Sequence, residues 1–171
     1  MPDAKAAEDA MAYLDSCIAE QNSSGGVVEC IINGVPAGIG DPVFEKLNAN
    51  LAKAVMSIGA VKAFEIGDGI KVSSANGSSN NDSFCMKNGG VSKKTNHAGG
   101  ILGGISNGMP IIFRVAIKPT PSIAKAKKTV NLHTMEEVTL EIKGRHDPCI
   151  VPRAVPVVEA AAAIAIFDLI L

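Results

Sequence analysis

Cationic, acidic and imidazole side chains lie close together in residues 143–156, which read KGRHDPCIVPRAVP. Arg145, His146 and Asp147 are consecutive, and Arg153 follows after two of the segment's three prolines. Each proline fixes φ at about −65° and disfavours helix for the residue before it. We therefore predict an extended backbone that holds these side chains in place. Two arginines flanking an aspartate suit an anionic ligand together with a group that handles a proton.

A second candidate is the glycine-rich segment 99–108, GGILGGISNG, which follows the tetrapeptide TNHA. It is not a Walker A loop, because no Gly-Lys-Ser/Thr follows, and its spacing does not match G-x-G-x-x-G. Paired glycines permit positive φ and let a ligand approach the backbone closely. A tight turn without a ligand and a ligand-binding loop both remain open for this segment.

The third candidate is the corner at residues 118–122, KPTPS. It offers one cation, two fixed backbone angles and two hydroxyl groups, a combination that can hold a phosphate. From these residues alone, a proline-rich turn that follows a strand and binds nothing is an equally good interpretation.

The composition limits the class of protein. Hydrophobic residues make up 47% of the 171 residues and charged residues 19%, which excludes general disorder and predicts a single domain over residues 1–171. The net charge of −1 provides no global field for nucleic acid or an anionic membrane. With no Trp and one Tyr, aromatic platforms for single-stranded nucleic acid are not expected.

The cysteines and the termini indicate the compartment. The four cysteines show neither a C-x-x-C pair nor a metal-binding spacing with histidine, so we predict reduced thiols and no metal site. The first residues are acidic and alanine-rich, unlike a signal peptide. The apolar stretch 160–171 contains Asp168 and is shorter than the roughly 20 residues that a membrane span needs. A cytoplasmic protein that binds neither nucleic acid nor membranes is predicted.

Hydrophobic periodicity predicts the elements that must position these candidates. Helices are expected at 7–18 with Asp3 as cap, from Asp41-Pro42 through Ile58, and at 155–171, the last buried because it is apolar on nearly all sides. Strands are expected at 27–32, 60–66 and 111–118, with a hairpin at 129–143. Residues 73–100 are rich in Ser, Asn, Gly and Lys and are predicted to form a long polar loop. The irregular order of helices and strands indicates an α+β sandwich.

Several blocks, in this order, resemble the chorismate synthase family from about residue 25 onward. They are AGIGDPVFEKL (37–47), MSIGAVK (56–62), FEIGDG (64–69), TNHAGGILGGISNG (95–108), KPT (118–120) and the run 143–156. The resemblance implies a β-α-β sandwich, usually a cytoplasmic homotetramer. It implies a carbon–oxygen lyase of aromatic amino acid biosynthesis (the shikimate pathway). That enzyme converts 5-enolpyruvylshikimate 3-phosphate to chorismate and phosphate by 1,4-anti-elimination. Reduced FMN is the implied cofactor, with NADPH as its reductant in some members.

The resemblance also implies roles for individual residues. Cofactor contacts are implied for Gly59, Ala60, Gly103, Lys118, Pro119, Thr120, Pro121, Ser122 and Arg145. Asp147 is implied to lie near the flavin and assist its proton transfer, and Arg153 is a candidate for substrate binding. Gly59 stands where the family often has Asn, and Pro121 where it often has Ser, so we expect only a backbone contact at Gly59.

Features of the family's N-terminal half have no match in this sequence. They are a Ser-His-Gly motif, arginines that grip the substrate, and a second histidine with an acid role. We therefore predict that the chain corresponds to the C-terminal part of a chorismate synthase and is inactive alone. The alternative is a non-catalytic or split FMN-binding or assembly fragment that needs an N-terminal partner chain.

Overall fold

The computed structural model describes residues 1–87 and 89–171. Its helices and small sheets form an α+β fold, as the sequence predicted. The composition predicted one domain, whereas the contacts within the chain group into two compact units. The first unit comprises Met1–Gly26 and Lys118–Pro152, and the second comprises Val27–Ile117 and Arg153–Leu171. In the described part of the chain, no helix is long and apolar enough to span a bilayer.

The helices and strands are numbered in chain order. The helices are α1 Ala4–Ala19, α2 Leu47–Met56, α3 Gly77–Asn80 and α4 Val151–Ile170. The strands are β1 Gly26–Ile32, β2 Val61–Ile66, β3 Phe84–Lys87, β4 Gly90–Lys93, β5 Ile101–Leu102, β6 Ile105–Ser106, β7 Ile111–Ile117, β8 Lys127–Asn131 and β9 Glu136–Leu140.

The core of the second unit is built on a three-stranded sheet in the order β1-β7-β2. Strand β7 lies in the centre, pairs antiparallel with β2, and alternates buried and half-buried residues. This alternation has the period of two that places one side of a strand in a core. Helix α2 contacts β2 and contributes Leu47, Leu51 and Val55, all with 0% exposure. The predicted strands at 60–66 and 111–118 are confirmed.

Helix α2 begins later than the sequence predicted. Asp41-Pro42 does not start it; Val43–Glu45 form a separate 3-10 turn, and Val43 has a left-handed φ of 59°. The backbone amide of Leu47 instead donates to the carbonyl oxygen of Gly104 at 2.8 Å. A carbonyl from a distant segment therefore binds an N-terminal amide that would otherwise lack an intrahelical partner.

Helix α4 differs from its prediction in both its start and its burial. It begins at Val151, so Arg153 lies in its first turn, and residues 151–156 are helical rather than extended as predicted. Pro152 is tolerated there, because amides of the first turn have no intrahelical partner. The helix buries only Val158, Ala162, Ala165 and Ile166. Its remaining apolar side chains are half-buried or exposed, so the prediction of burial on all sides was wrong.

The polar stretch 73–100 contains more structure than a long loop. It carries the short helix α3 and the antiparallel hairpin of β3 and β4. Phe84 and Val91 on this hairpin are 69% and 75% exposed. The sequence prediction missed the hairpin because it looks for apolar residues that a strand buries, and this hairpin buries few.

Two elements of the first unit follow their predictions. Helix α1 is capped by Asp3, whose carboxylate accepts a hydrogen bond from the Ala6 amide at 2.6 Å. The predicted hairpin is formed by β8 and β9, which pair antiparallel from Lys127 to Leu140.

Candidate functional site

The sequence-predicted site residues divide between the two units. Seven lie in the first unit: Lys118, Pro119, Thr120, Pro121, Ser122, Arg145 and Asp147. Four lie in the second unit: Gly59, Ala60, Gly103 and Arg153.

In the first unit, the Lys118–Ser122 corner and the segment around Arg145 are both hydrogen-bonded to the dipeptide Ser23-Ser24. The Ser23 hydroxyl donates to the Thr120 carbonyl oxygen at 2.7 Å. The backbone amide of Ser24 donates to the Pro148 carbonyl oxygen, also at 2.7 Å. Sequence reasoning took Ser23-Ser24 only as the stop of a helix. No local spacing shows that it anchors two segments about a hundred residues away.

His146 makes a second connection between these segments. Its Nε2 lies 2.9 Å from the Ile142 carbonyl oxygen, which can only accept, so Nε2 carries a hydrogen. Its Nδ1 lies 3.4 Å from the Ser122 hydroxyl oxygen. The structure therefore places Ser122 beside His146, which lies between Arg145 and Asp147 in the sequence.

The polar groups of this unit leave capacity for a ligand. The hydroxyl oxygen of Thr120 is buried and has no hydrogen-bond partner within residues 1–87 and 89–171. A buried hydroxyl without a partner destabilises the folded chain, and a ligand that hydrogen-bonds to it would remove this cost. Lys118 and Arg145 are exposed, and no carboxylate of the described residues forms an ion pair with either. Asp147 is half-buried.

In the second unit, the glycine-rich segment folds into the small β5–β6 hairpin. Gly103 and Gly104 form its turn with φ of 62° and 92°, the positive pair that a tight two-residue hairpin requires. Gly103 is exposed, and a Cβ built on it would meet no atom within 4 Å. Gly59 is equally open, and Ala60 next to it has a φ of 72°.

A carboxylate clamps the loop that leads into this hairpin. Asp82 Oδ1 accepts from the Thr95 hydroxyl at 2.7 Å and from the His97 amide at 2.8 Å, and Oδ2 accepts from the Ala98 amide at 3.0 Å. Burial raises the pKa of the Asp82 carboxyl, but the hydrogen bonds from Thr95, Ala98 and His97 outweigh it and hold the pKa below 3.8. Asp82 escaped the sequence analysis because its partners lie 13 to 16 residues away.

The same loop is bound to the end of β2. The Nδ1 atom of His97 lies 2.6 Å from Asp68 Oδ2, and the Asp68 amide donates to the His97 carbonyl oxygen at 2.9 Å. Gly67 approaches this loop so closely that an added Cβ would lie 2.6 Å from the Gly99 nitrogen. The sequence blocks FEIGDG and TNHAGG are therefore in direct contact with each other.

Replacing Asp82 by asparagine is expected to lower the free energy of unfolding by about 1 kcal/mol at neutral pH, because a charged acceptor is lost. Since folding lowers the pKa of Asp82, its contribution is complete above the ordinary value of 3.8 and disappears as the pH falls through the lowered value. Urea unfolding of both proteins across this range should show the difference shrinking in acid. Asp15→Asn, on the exposed surface of α1, should show no such convergence.

The chain is similar to known proteins along its whole length. The family model "Chorismate synthase" matches residues 1–171. The "Chorismate synthase" of Agathobacter rectalis is 63% identical over 171 residues, which are 100% of this chain and 46% of that protein. The "Chorismate synthase" of Archaeoglobus fulgidus is 55% identical over 100% of this chain and 48% of its own length.

A solved structure shows the same similarity in three dimensions. The "Crystal Structure of Chorismate Synthase" superposes with a TM-score of 0.74 at 34% identity, over 95% of this chain and 41% of that one. The chain thus spans about half the length of the curated relatives it matches.

Proposed function

The chain belongs to the chorismate synthase family, and we propose on that basis that it carries flavin-binding residues for the conversion of 5-enolpyruvylshikimate 3-phosphate to chorismate and phosphate. The reaction is a 1,4-anti-elimination of phosphate with reduced FMN, the work of a carbon–oxygen lyase in aromatic amino acid biosynthesis. A cytoplasmic homotetramer, with NADPH as a source of reducing equivalents, belongs to the same proposal.

The unsatisfied hydroxyl of Thr120 is the observation that carries the flavin assignment. A buried hydroxyl without a partner costs free energy, and a ligand that supplies a partner recovers it. Thr120 lies within the corner that the family resemblance assigns to the cofactor. In the second unit, Gly59 and Gly103 have open space at their Cβ positions, which is compatible with the cofactor contacts that the family resemblance implies for each.

The side chains of the first unit supply the charge that this ligand needs. The phosphate of FMN is anionic and suits a cation. Lys118 is an exposed cation in the same corner as the buried Thr120 hydroxyl, and Arg145 is an exposed cation two residues before Asp147. Thr120 and Ser122 offer hydroxyl groups, and Pro119 and Pro121 fix the backbone between them. When bound, reduced FMN would supply an electron-rich ring system, while the protein supplies orientation and electrostatics.

Asp147 and Arg153 are proposed to act on the proton and the substrate. Asp147 is half-buried, so its carboxylate can hold a proton near the flavin without full exposure to water. Arg153 is exposed in the first turn of α4, and its guanidinium suits a carboxylate or phosphate of the substrate.

Replacing Thr120 by valine tests this assignment with two opposite effects. The variant should be more stable than the native chain by about 1 kcal/mol, because an unsatisfied buried hydroxyl is removed. It should also bind FMN at least tenfold more weakly, as measured by quenching of flavin fluorescence. Thr134→Val, in the exposed turn between β8 and β9, is the matched control for both measurements. Lower stability with unchanged FMN affinity would contradict the assignment.

A second candidate function is an FMN-binding or assembly fragment that needs an N-terminal partner chain. Its support is the chain's coverage, 46% to 48% of the relatives' length, together with the unmatched Ser-His-Gly motif. Anaerobic assays with reduced FMN and substrate distinguish the two candidates. We expect no chorismate from this chain alone, and turnover when the N-terminal part of the Agathobacter rectalis relative is co-expressed. Turnover by the isolated chain would exclude the need for a partner.

A further inference from the structure

A pocket in the second unit lies where α3, the β3–β4 hairpin and the glycine-rich hairpin meet. It has a volume of about 440 Å³, and its lining includes Asn80, Asn81, Ser83, Phe84, Lys93 and Leu102. This volume falls in the range of about 300–1,000 Å³ found for small-molecule sites. The lining combines an apolar surface with amide, hydroxyl and ammonium groups.

Lys93 is the unusual member of this lining. The residue is only 8% exposed, although lysine is rarely buried without a charged partner. Its Nζ lies 5.1 Å from the centre of the Phe84 ring, a cation–π contact that offsets part of the cost of burial. No carboxylate in residues 1–87 and 89–171 forms an ion pair with this ammonium. The pocket wall therefore carries the ammonium group of a largely buried side chain, and no carboxylate of the described residues pairs with it.

Asp82 also lines the pocket, but its charge is used elsewhere. Both of its oxygens accept hydrogen bonds from the 95–98 loop, and it forms no ion pair with Lys93. The side chains of Asn80, Asn81 and Ser83 can donate hydrogen bonds into the pocket. These donors and the ammonium favour an anionic group on whatever enters.

We propose that this pocket binds an organic anion, with a phosphate or carboxylate group at Lys93 and an apolar or aromatic body against Phe84 and Leu102. An anion there would pair with the Lys93 ammonium, and a hydrogen bond between two charged groups is stronger than one between neutral groups. The ligand is inferred to have an apolar or aromatic body because the pocket volume exceeds the space that one phosphate group fills. The proposal does not rest on the flavin assignment, because Lys93 has no role in it.

Titrating the isotope-labelled chain with phenyl phosphate tests the proposal. The backbone amide signals of Ser83, Phe84, Lys93 and Leu102 should shift in a saturable way. Lys93→Met removes the charge at similar length and should weaken binding at least tenfold. Lys94→Met, at the exposed next position, should leave binding unchanged. Equal affinity of the Lys93→Met variant and the native chain would overturn the proposal.

Two further ligands keep the test decisive on the native chain even if the Lys93→Met variant fails to fold. Phenol, which has the ring without the charge, should bind at least tenfold more weakly than phenyl phosphate. Benzoate distinguishes the sources of the anion: tighter binding of benzoate assigns a carboxylate ligand, and weaker binding assigns a phosphate ester. If phenol binds as tightly as both anions, or none of the three ligands binds, the proposal is wrong.

Discussion

Replacing Gly67 with alanine is expected to lower the free energy of unfolding by about 3–4 kcal/mol. Gly67 has a left-handed φ of 57°, which costs a residue with a Cβ about 1–2 kcal/mol. The new Cβ would also collide with the His97 carbonyl oxygen and lie 2.6 Å from the Gly99 nitrogen. Both are backbone atoms, so the 97–99 loop must move.

That movement breaks specific hydrogen bonds. The Gly67 amide donates to the Ile112 carbonyl oxygen. The Asp68 amide donates to the His97 carbonyl oxygen, the same atom that the new Cβ would strike. Urea unfolding measures the loss. Gly34→Ala is the matched control, because Gly34 also has a positive φ, 80°, but open space around its Cβ position. If both variants lose the same free energy, the close contact at Gly67 does not exist.

Replacing Phe113 with alanine should lower the free energy of unfolding by about 3–5 kcal/mol. Phe113 is 0% exposed in the central strand β7, and its ring centre lies 5.1 Å from that of Phe64. Truncation removes buried apolar surface and leaves a cavity that the sheet cannot easily fill. Thermal unfolding should show a correspondingly lower midpoint.

Phe44 provides the control for this change. Its side chain is 86% exposed, so Phe44→Ala should alter stability by no more than about 0.5 kcal/mol. A loss below about 1 kcal/mol for Phe113→Ala would mean that β7 is not the centre of the core.

Local signals were sufficient for several elements. The alternating residues of β7 and the Asp3 cap of α1 depend on neighbours along the chain, and both predictions are confirmed. The start of α2 was missed because the Gly104 carbonyl that binds its first amide comes from more than fifty residues away. The one-sided burial of α4 was missed because composition alone does not show which apolar face meets a neighbour.

The candidate site divides in the same way. Sequence motifs identified Lys118, Thr120 and Arg145 as site residues, and these assignments stay predictions. Within the first unit, Ser23-Ser24 holds the candidate segments, and within the second unit Asp82 holds the loop before the glycine-rich hairpin. Polar side chains with distant partners leave no periodic pattern, so only the folded chain reveals them.

Comparing the affinities of the chain for FMN and riboflavin tests the central claim most directly, because the two flavins differ only in the phosphate. We expect saturable binding of one FMN per chain, and at least tenfold weaker binding of riboflavin. The Arg145→Ala variant should lose most of that difference, since Arg145 is proposed to hold the phosphate charge. No saturable FMN binding, or equal affinities for both flavins in the native chain, would contradict the account.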